Sequence, residues 1–396
     1  MVWSRVSKCW YACAVRSGYY GQPATQARSR SYSHTSLLPL VRASNNLVLS
    51  SGSFHDENKT HWIASRKDET LVDKEHVYPL FLSAAPLSCS SSPIGFLRQD
   101  LFSALLDDHR VQLRLQGKSP WDIRVRGSSA NGDPAGSPWA MAFAPWVNAG
   151  GRELRSHHIG RLVDEWREGG MFRDMLRGWS NEAYPIYNPA RIESFEDSVA
   201  FTVERTSLPL FGFANFGCLL TAYFDSNDTG KRMLWVPRRS KTKRTWPGRL
   251  DVTVGGGIAA GDSALSTIVR ESSEEASLDA SYVRQHIRSA GLLPFPNRSP
   301  AGWVLPGVYY LFDLPLPADG SVFPRTNVAD GEVESFELMD VQMVLENLME
   351  GMFKPSSALA LVDFLVRHGY VTDETDPAYV QLCLQLKKEL PWPLPR

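Results

Sequence analysis

The sequence predicts an α/β protein with a mixed sheet, preceded by a smaller α+β unit. Three observations carry that expectation. From about residue 206, apolar runs rich in aromatic and branched residues alternate with segments of helical spacing, the order that builds a layered α/β unit. Residues 76–205 repeat such elements more loosely, around a Gly-, Ser- and Pro-rich stretch at 127–151. Across 396 residues the apolar fraction is 43% and the aromatic fraction 11%, enough for packed cores and against global disorder. With 42 basic and 43 acidic residues the chain lacks the broad basic surface of a nucleic-acid binder. No stretch reaches the roughly 18 apolar residues of a membrane span. The five cysteines are scattered without a CxxC, against a disulfide scaffold or zinc-thiolate site.

In chain order, the first acidic residue is Asp56, preceded by Arg5, Lys8, Arg16, Arg28, Arg30 and Arg42 among many serines. That composition is that of an organellar transit peptide, and Arg30-Ser31-Tyr32-Ser33 resembles a matrix-protease site cut after Tyr32. Removing 1–32 lowers the net charge from −1 to about −6, and the expected destination is the mitochondrial matrix. Residues 33–75 read as a polar linker. The N-terminal α+β unit, 76–205, then shows a strand at 77–82, a turn at 93–96, helices at 99–109 and 161–179, and strands at 182–187 and 199–205. The stretch 127–151 reads as a loop or insertion.

The second unit, 206–372, offers strands at 211–224, 233–238, 251–257, 303–316 and 332–339. Its helices fall at 262–278, 341–350 and 355–369; a helix and tail occupy 373–396. The chemistry concentrates in 256–278, GGIAAGDSALSTIVRESSEEASL. On a helix, Glu271, Glu274 and Glu275 share one face about a turn apart, where like charges repel unless a cation compensates. Arg270 can pair with Glu274, which leaves Glu271 and Glu275 for a hard divalent ion. The opposite face, Leu265, Ile268, Val269, Ser272 and Ala276, suits packing on a sheet. Glycines before the helix allow close backbone approach to a ligand. Read alone, three glutamates more often describe a solvated helix face, and Gly255, Gly257 and Ala260 give a weak G-x-G-x-x-A dinucleotide pattern.

The spacing resembles the Nudix box, G-x5-E-x7-R-E-U-x-E-E-x-G-U with U aliphatic. Gly256, Arg270, Glu271, Glu274, Glu275 and Leu278 match; Asp262 stands for Glu, Ser272 for an aliphatic residue and Ser277 for Gly. The flanks 235–262, 330–339 and 353–370, with 93–106 and 173–187 upstream, resemble thiamine-pyrophosphokinase-related Nudix proteins of plants and fungi. The resemblance implies a Nudix α/β/α sandwich with a mixed sheet. It implies hydrolysis of a small-molecule diphosphate with Mg²⁺ or Mn²⁺, the substrate being thiamine pyrophosphate or its oxo and oxy analogues. The metal ligands would be Glu271, Glu274, Glu275 and the carbonyl of Gly255. Arg270 would hold the glutamates, and the general base would be Glu271 or a downstream carboxylate, Glu332 or Glu334; Glu334 is taken forward with Glu271 and Arg270 as the catalytic set. Arg238, Arg239 and Lys243, just upstream, are candidates for substrate phosphates. Trp246, Trp303, Tyr309 and Tyr310 are aromatic candidates for stacking or core packing. A nucleoside diphosphate derivative as substrate, and a non-catalytic Nudix binding module, remain alternatives.

Overall fold

The computed structural model describes residues 35–50, 54, 56, 59–67, 70–83, 92–127, 136–189 and 198–395. The expected transit peptide, 1–32, lies outside them.

The Nudix-type half is a mixed sheet between helical layers. Its strands are β9 (Asn215–Asp225), β10 (Arg232–Arg239), β11 (Val254–Gly257), β12 (Arg288–Arg298), β13 (Val304–Pro315) and β14 (Val333–Asp340). The order is β12-β13-β9-β10-β14, with β11 also on β9; β13 runs parallel to β9 and the other pairs are antiparallel. The period of two along β9 divides its side chains between two cores. Cys218, Leu220 and Ala222 pack with Ile268, Val269 and Ala276 of α7 (Ala264–Ala276), while Leu219 and Tyr223 pack with α10 (Pro355–Arg367) on the other face. Ten of the thirteen residues of α10 are buried because α1 (Leu38–Ser44) and α11 (Tyr379–Leu386) cover its far side. Helices α8 (Ala280–His286) and α9 (Val341–Met349) complete the layers. No described helix is long and apolar enough to cross a membrane.

The N-terminal half is α+β. Strands β1 (Leu47–Leu49), β2 (Trp62–Lys67), β3 (Thr70–Ser83), β4 (Gly95–Arg98), β5 (Trp121–Val125) and β6 (Pro138–Phe143) form one sheet, ordered β1-β2-β3-β6-β5 with β4 also on β3. A separate hairpin joins β7 (Ala183–Tyr187) and β8 (Val199–Glu204). Helices α2 (Gln99–Gln116), α3 (Pro145–Ala149), α4 (Gly151–Glu168), α5 (Arg173–Leu176) and α6 (Leu208–Phe211) accompany them.

Three expectations need correction here. The described residues of 33–75 do not form a linker. Leu37, Leu38 and Val41 form an apolar stripe in the core around α10, and the Leu37 N–H donates to Asp376 Oδ2 at 2.8 Å. Leu47 and Ile63 are fully buried, and β2 extends the sheet beside β3. The stretch 127–151 contains β6, a parallel partner of β3 with Leu80 opposite Met141; its small residues read as loop, but Trp139 to Phe143 are all buried. The first unit also extends past 205, since Leu208, Leu210, Phe211 and Phe213 belong to its core.

Candidate active site

The glycine-ended strand β11 and the helix α7 set the site. Gly256 lies opposite Cys218 on β9, and a Cβ there would come 2.4 Å from Glu271 Cγ. The glycine therefore leaves the space that the Glu271 side chain occupies. At Gly257 a Cβ would come 1.8 Å from the Tyr184 hydroxyl, so β7 of the N-terminal half rests against the same strand. The Ala260 N–H donates to the Ala183 carbonyl at 2.9 Å, which fixes that contact.

Helix α7 begins with a reciprocal cap between Ser263 and Ser266, two orphan N–H groups satisfied by side-chain oxygens. Its buried face is Ile268, Val269, Ser272 and Ala276, with Thr267 added; Leu265 is 42% exposed and leaves the expected packing face. Ser272 is fully buried and its hydroxyl donates to the Ile268 carbonyl at 2.6 Å, so the polar replacement is satisfied within the helix. Ser277 ends the helix at φ 51°, the left-handed conformation for which glycine is suited. Both serine departures thus lie on the packing side and at the helix end, away from the carboxylates.

Those carboxylates divide into inner and outer ones. Arg270 bridges Glu274 at 2.8 Å, Glu271 at 3.0 Å and Asp262 at 3.9 Å. Glu274 is half exposed and lies at the rim. Glu275 keeps a little surface but is surrounded by protein, and its Oε2 accepts the Gly255 N–H at 3.2 Å. Gly255 thus touches the cluster through its N–H; its expected use was the carbonyl. The inner group is completed by Glu332, in the loop before β14, whose carboxyl shares a hydrogen bond with Glu275 and pairs with Lys243.

Burial pushes the Glu271 carboxyl up to about 7, with the charges of Glu274 and Glu332 adding to it and Arg270 opposing. Burial also drives Glu275 well above the ordinary carboxylate value, and Glu271 adds to that. Burial acts in the same direction on Glu332, but the hydrogen bond and charge of Lys243 outweigh it and hold this carboxyl below its ordinary value. Three carboxyls therefore share a space of low dielectric, with Lys243 and Arg270 paired to them and the charge of Arg239 also reaching Glu332, an arrangement in which the charged forms are costly. Among the described residues no three His, Cys, Asp or Glu side chains converge as a preformed metal cluster.

Several expected residues fall elsewhere. Glu334 is exposed and pairs with Lys241 at 3.7 Å, whereas Glu332, the other downstream candidate, lies beside Glu275. Arg239 is buried: it pairs with Asp251 at 2.7 Å and donates to the carbonyls of Thr245 and Trp246, so its guanidinium is spent inside the protein. Arg238 pairs with Glu337 at 2.8 Å and donates to the Gly248 carbonyl. Both arginines fasten the loop 240–249 rather than present a phosphate site; of the three basic candidates only Lys243 meets the carboxylates. Asp251 went unnoticed in the sequence. Its carboxyl is held below the usual value: burial opposes this, but Lys354 and Arg239 outweigh it. Tyr184 was read only as part of a strand; no sequence signal links it to Gly257. Trp303 is buried and donates to Asp174, and Tyr309 is enclosed beside Gly217, so both are structural. Trp246 remains 37% exposed. The dinucleotide pattern fails on geometry, because β11 pairs antiparallel with β9 and the helix starts only at Ala264.

Comparison with known proteins finds relatives for both halves of the chain. The family model of the NUDIX domain matches residues 221–359, and a domain of unknown function (DUF4743) matches 149–215. An uncharacterized protein of Saccharomyces cerevisiae is 34% identical over 60% of this chain and 70% of its own length. Two proteins of Arabidopsis thaliana, Nudix hydrolase 24, chloroplastic, and Nudix hydrolase 20, chloroplastic, are each 32% identical over 54% of this chain. The chain spans about half the length of these two plant relatives.

Proposed function

The chain belongs to the Nudix hydrolase family, and from that premise we propose that it cleaves thiamine pyrophosphate, or an oxo or oxy analogue, between its two phosphates. The observation that supports a diphosphate reaction is the group Glu271, Glu275 and Glu332, buried together with too few cations beside it. This donor set fits a hard divalent ion: all its ligands are carboxylate oxygens, and their mutual repulsion is relieved by a cation. In the proposed reaction Glu271 and Glu275 hold Mg²⁺ or Mn²⁺, with Glu274 at the rim. The ion, when bound, neutralises diphosphate charge and polarises the phosphorus that water attacks. Arg270 orients Glu271 and Glu274. Glu332, kept ionised by Lys243, is the carboxylate able to accept a proton from water near neutral pH; it replaces Glu334 in that role.

The choice of thiamine rests on the likeness of the flanks and the upstream unit to thiamine-pyrophosphokinase-related proteins. It is tested by kcat/KM for thiamine pyrophosphate, oxythiamine pyrophosphate, ADP-ribose, NADH and 8-oxo-dGTP. The expected result is a preference for a thiamine compound; a clear preference for any nucleotide overturns the substrate while leaving the hydrolase in place. We further propose action in the mitochondrial matrix, supported by the acid-free, Arg- and Ser-rich N-terminus. N-terminal sequencing of the mature protein is expected to begin at Ser33. An intact Met1 on cytosolic material contradicts it.

A further inference from the structure

A cavity of ≈ 510 Å³ opens between the two halves of the chain, within the roughly 300–1,000 Å³ of small-molecule sites. Its walls include Ser65, Arg66 and Val72 of the β2–β3 hairpin of the N-terminal half, Arg298 at the end of β12, Trp246 of the loop 240–249, and residues of α1 and the start of α10.

Two features separate this cavity from an accidental gap. Trp246 has φ 54°, a left-handed backbone that a bulky residue rarely adopts. That conformation is fixed by buried Arg239, which donates to the carbonyls of Thr245 and Trp246. The indole therefore stays half exposed against the cavity instead of packing into a core. The opposite wall is pinned by Arg298, which is 3% exposed at its side chain, pairs with Glu75 at 2.8 Å and donates to the carbonyls of Asp73 and Gly302. Because that guanidinium is spent, it is not a spare phosphate ligand. The loop that carries Trp246 also carries Lys243, the partner of Glu332. One short loop thus joins the carboxylates to the cavity.

We infer that this cavity receives the organic end of the diphosphate substrate, and that this end is a flat heteroaromatic ring stacked on Trp246. The inference rests on the diphosphate reading above and narrows it to diphosphates bearing such a ring, as against prenyl or simple sugar diphosphates. Arg66 and Lys67 line the same cavity and favour ring nitrogens that accept hydrogen bonds over a bare cationic ring. The N-terminal half then contributes directly to substrate choice, through the β2–β3 hairpin.

The test compares thiamine pyrophosphate with isopentenyl diphosphate, which has no ring. Trp246→Ala is expected to raise KM for thiamine pyrophosphate at least about 10-fold with kcat changed less than about 3-fold, the loss of one base–aromatic stack. Trp246→Phe should recover most of that, and KM for the ringless substrate should stay within about twofold, since ring stacking is absent there. Ser65→Trp, which fills the cavity from the N-terminal wall, should reproduce the selective loss even if the loop variant folds poorly. Calorimetry with thiamine monophosphate, without divalent ion, should show the same order of affinities. An unchanged ratio of the two KM values in Ser65→Trp and in folded Trp246→Ala overturns the inference. Full activity in Glu275→Gln instead removes the diphosphate reading, and the monophosphate titration still decides the cavity.

Discussion

Buried carboxylates occur in both halves of the molecule, and their surroundings differ. In the N-terminal half Asp108 accepts the Trp121 indole N–H at 2.7 Å, the Gln112 amide at 3.1 Å and the Arg161 guanidinium at 3.0 Å. Its lone pairs and its charge are both satisfied, which makes it a joint between α2, β5 and α4. In the Nudix half Glu275 accepts one backbone N–H and otherwise faces carboxyls, and Glu271 has Arg270 alone against the charges of Glu274 and Glu332. A carboxylate with a complete set of donors holds structure. A group of carboxylates short of donors is strained until a cation arrives, and the strain marks a functional site.

The contrast is broken most severely by exchanging the two kinds of residue. Glu275→Gln is expected to lower kcat at least about 100-fold, since a charged ligand is lost, while leaving thermal stability in the absence of metal unchanged or raised. Asp108→Asn should do the reverse. It should cost about 3 kcal/mol, because Arg161 loses its buried counter-charge and an amide N–H₂ meets other donors, with kcat per folded molecule preserved. Denaturant titration beside initial-rate kinetics checks both, and equal stability losses would erase the distinction. A finer cut distinguishes two glutamates separated along the chain only by Val333. Glu332→Gln should reduce kcat about 10- to 100-fold, within the range for a lost general base. Glu334→Gln should stay within about twofold, as an exposed pair contributes little. The opposite order would restore Glu334 to the site.

The same contrast explains what the sequence made legible. The helix with Arg270, Glu271, Glu274 and Glu275 was readable because all four charged residues lie within one local, periodic segment. The second set of partners comes from folding. Glu332 and Glu334 look alike in DGEVESFELM, but a shift in register between Arg238 and Arg239 on β10, and the reach of Lys243, bring only the former to Glu275. Arg239 looked available for phosphate because nothing marks Asp251, twelve residues later, as its buried partner. The strand β6 was hidden by small residues in PWAMAF, whose burial depends on a parallel partner far earlier in the chain. Leu37, Leu38 and Val41 were too short a stripe to stand out within a polar segment, although they cover α10.

The central claim is the proposal that Glu271 and Glu275 hold a divalent metal beside Glu332. Calorimetric titration of Mg²⁺ and Mn²⁺ into the full chain tests it, at pH 6 and pH 8 and in buffers of different ionisation enthalpy. Glu271 is pushed up to about 7 from 4.5, so below that range it holds a proton that the metal must displace. The account predicts tighter binding at pH 8 than at pH 6, proton release at the lower pH, and at least about 10-fold weaker binding in Glu275→Gln, the scale of a lost charged ligand. Asp108→Asn should bind as the wild type does. Equal metal affinity in the wild type and Glu275→Gln, with no dependence on pH, would contradict it.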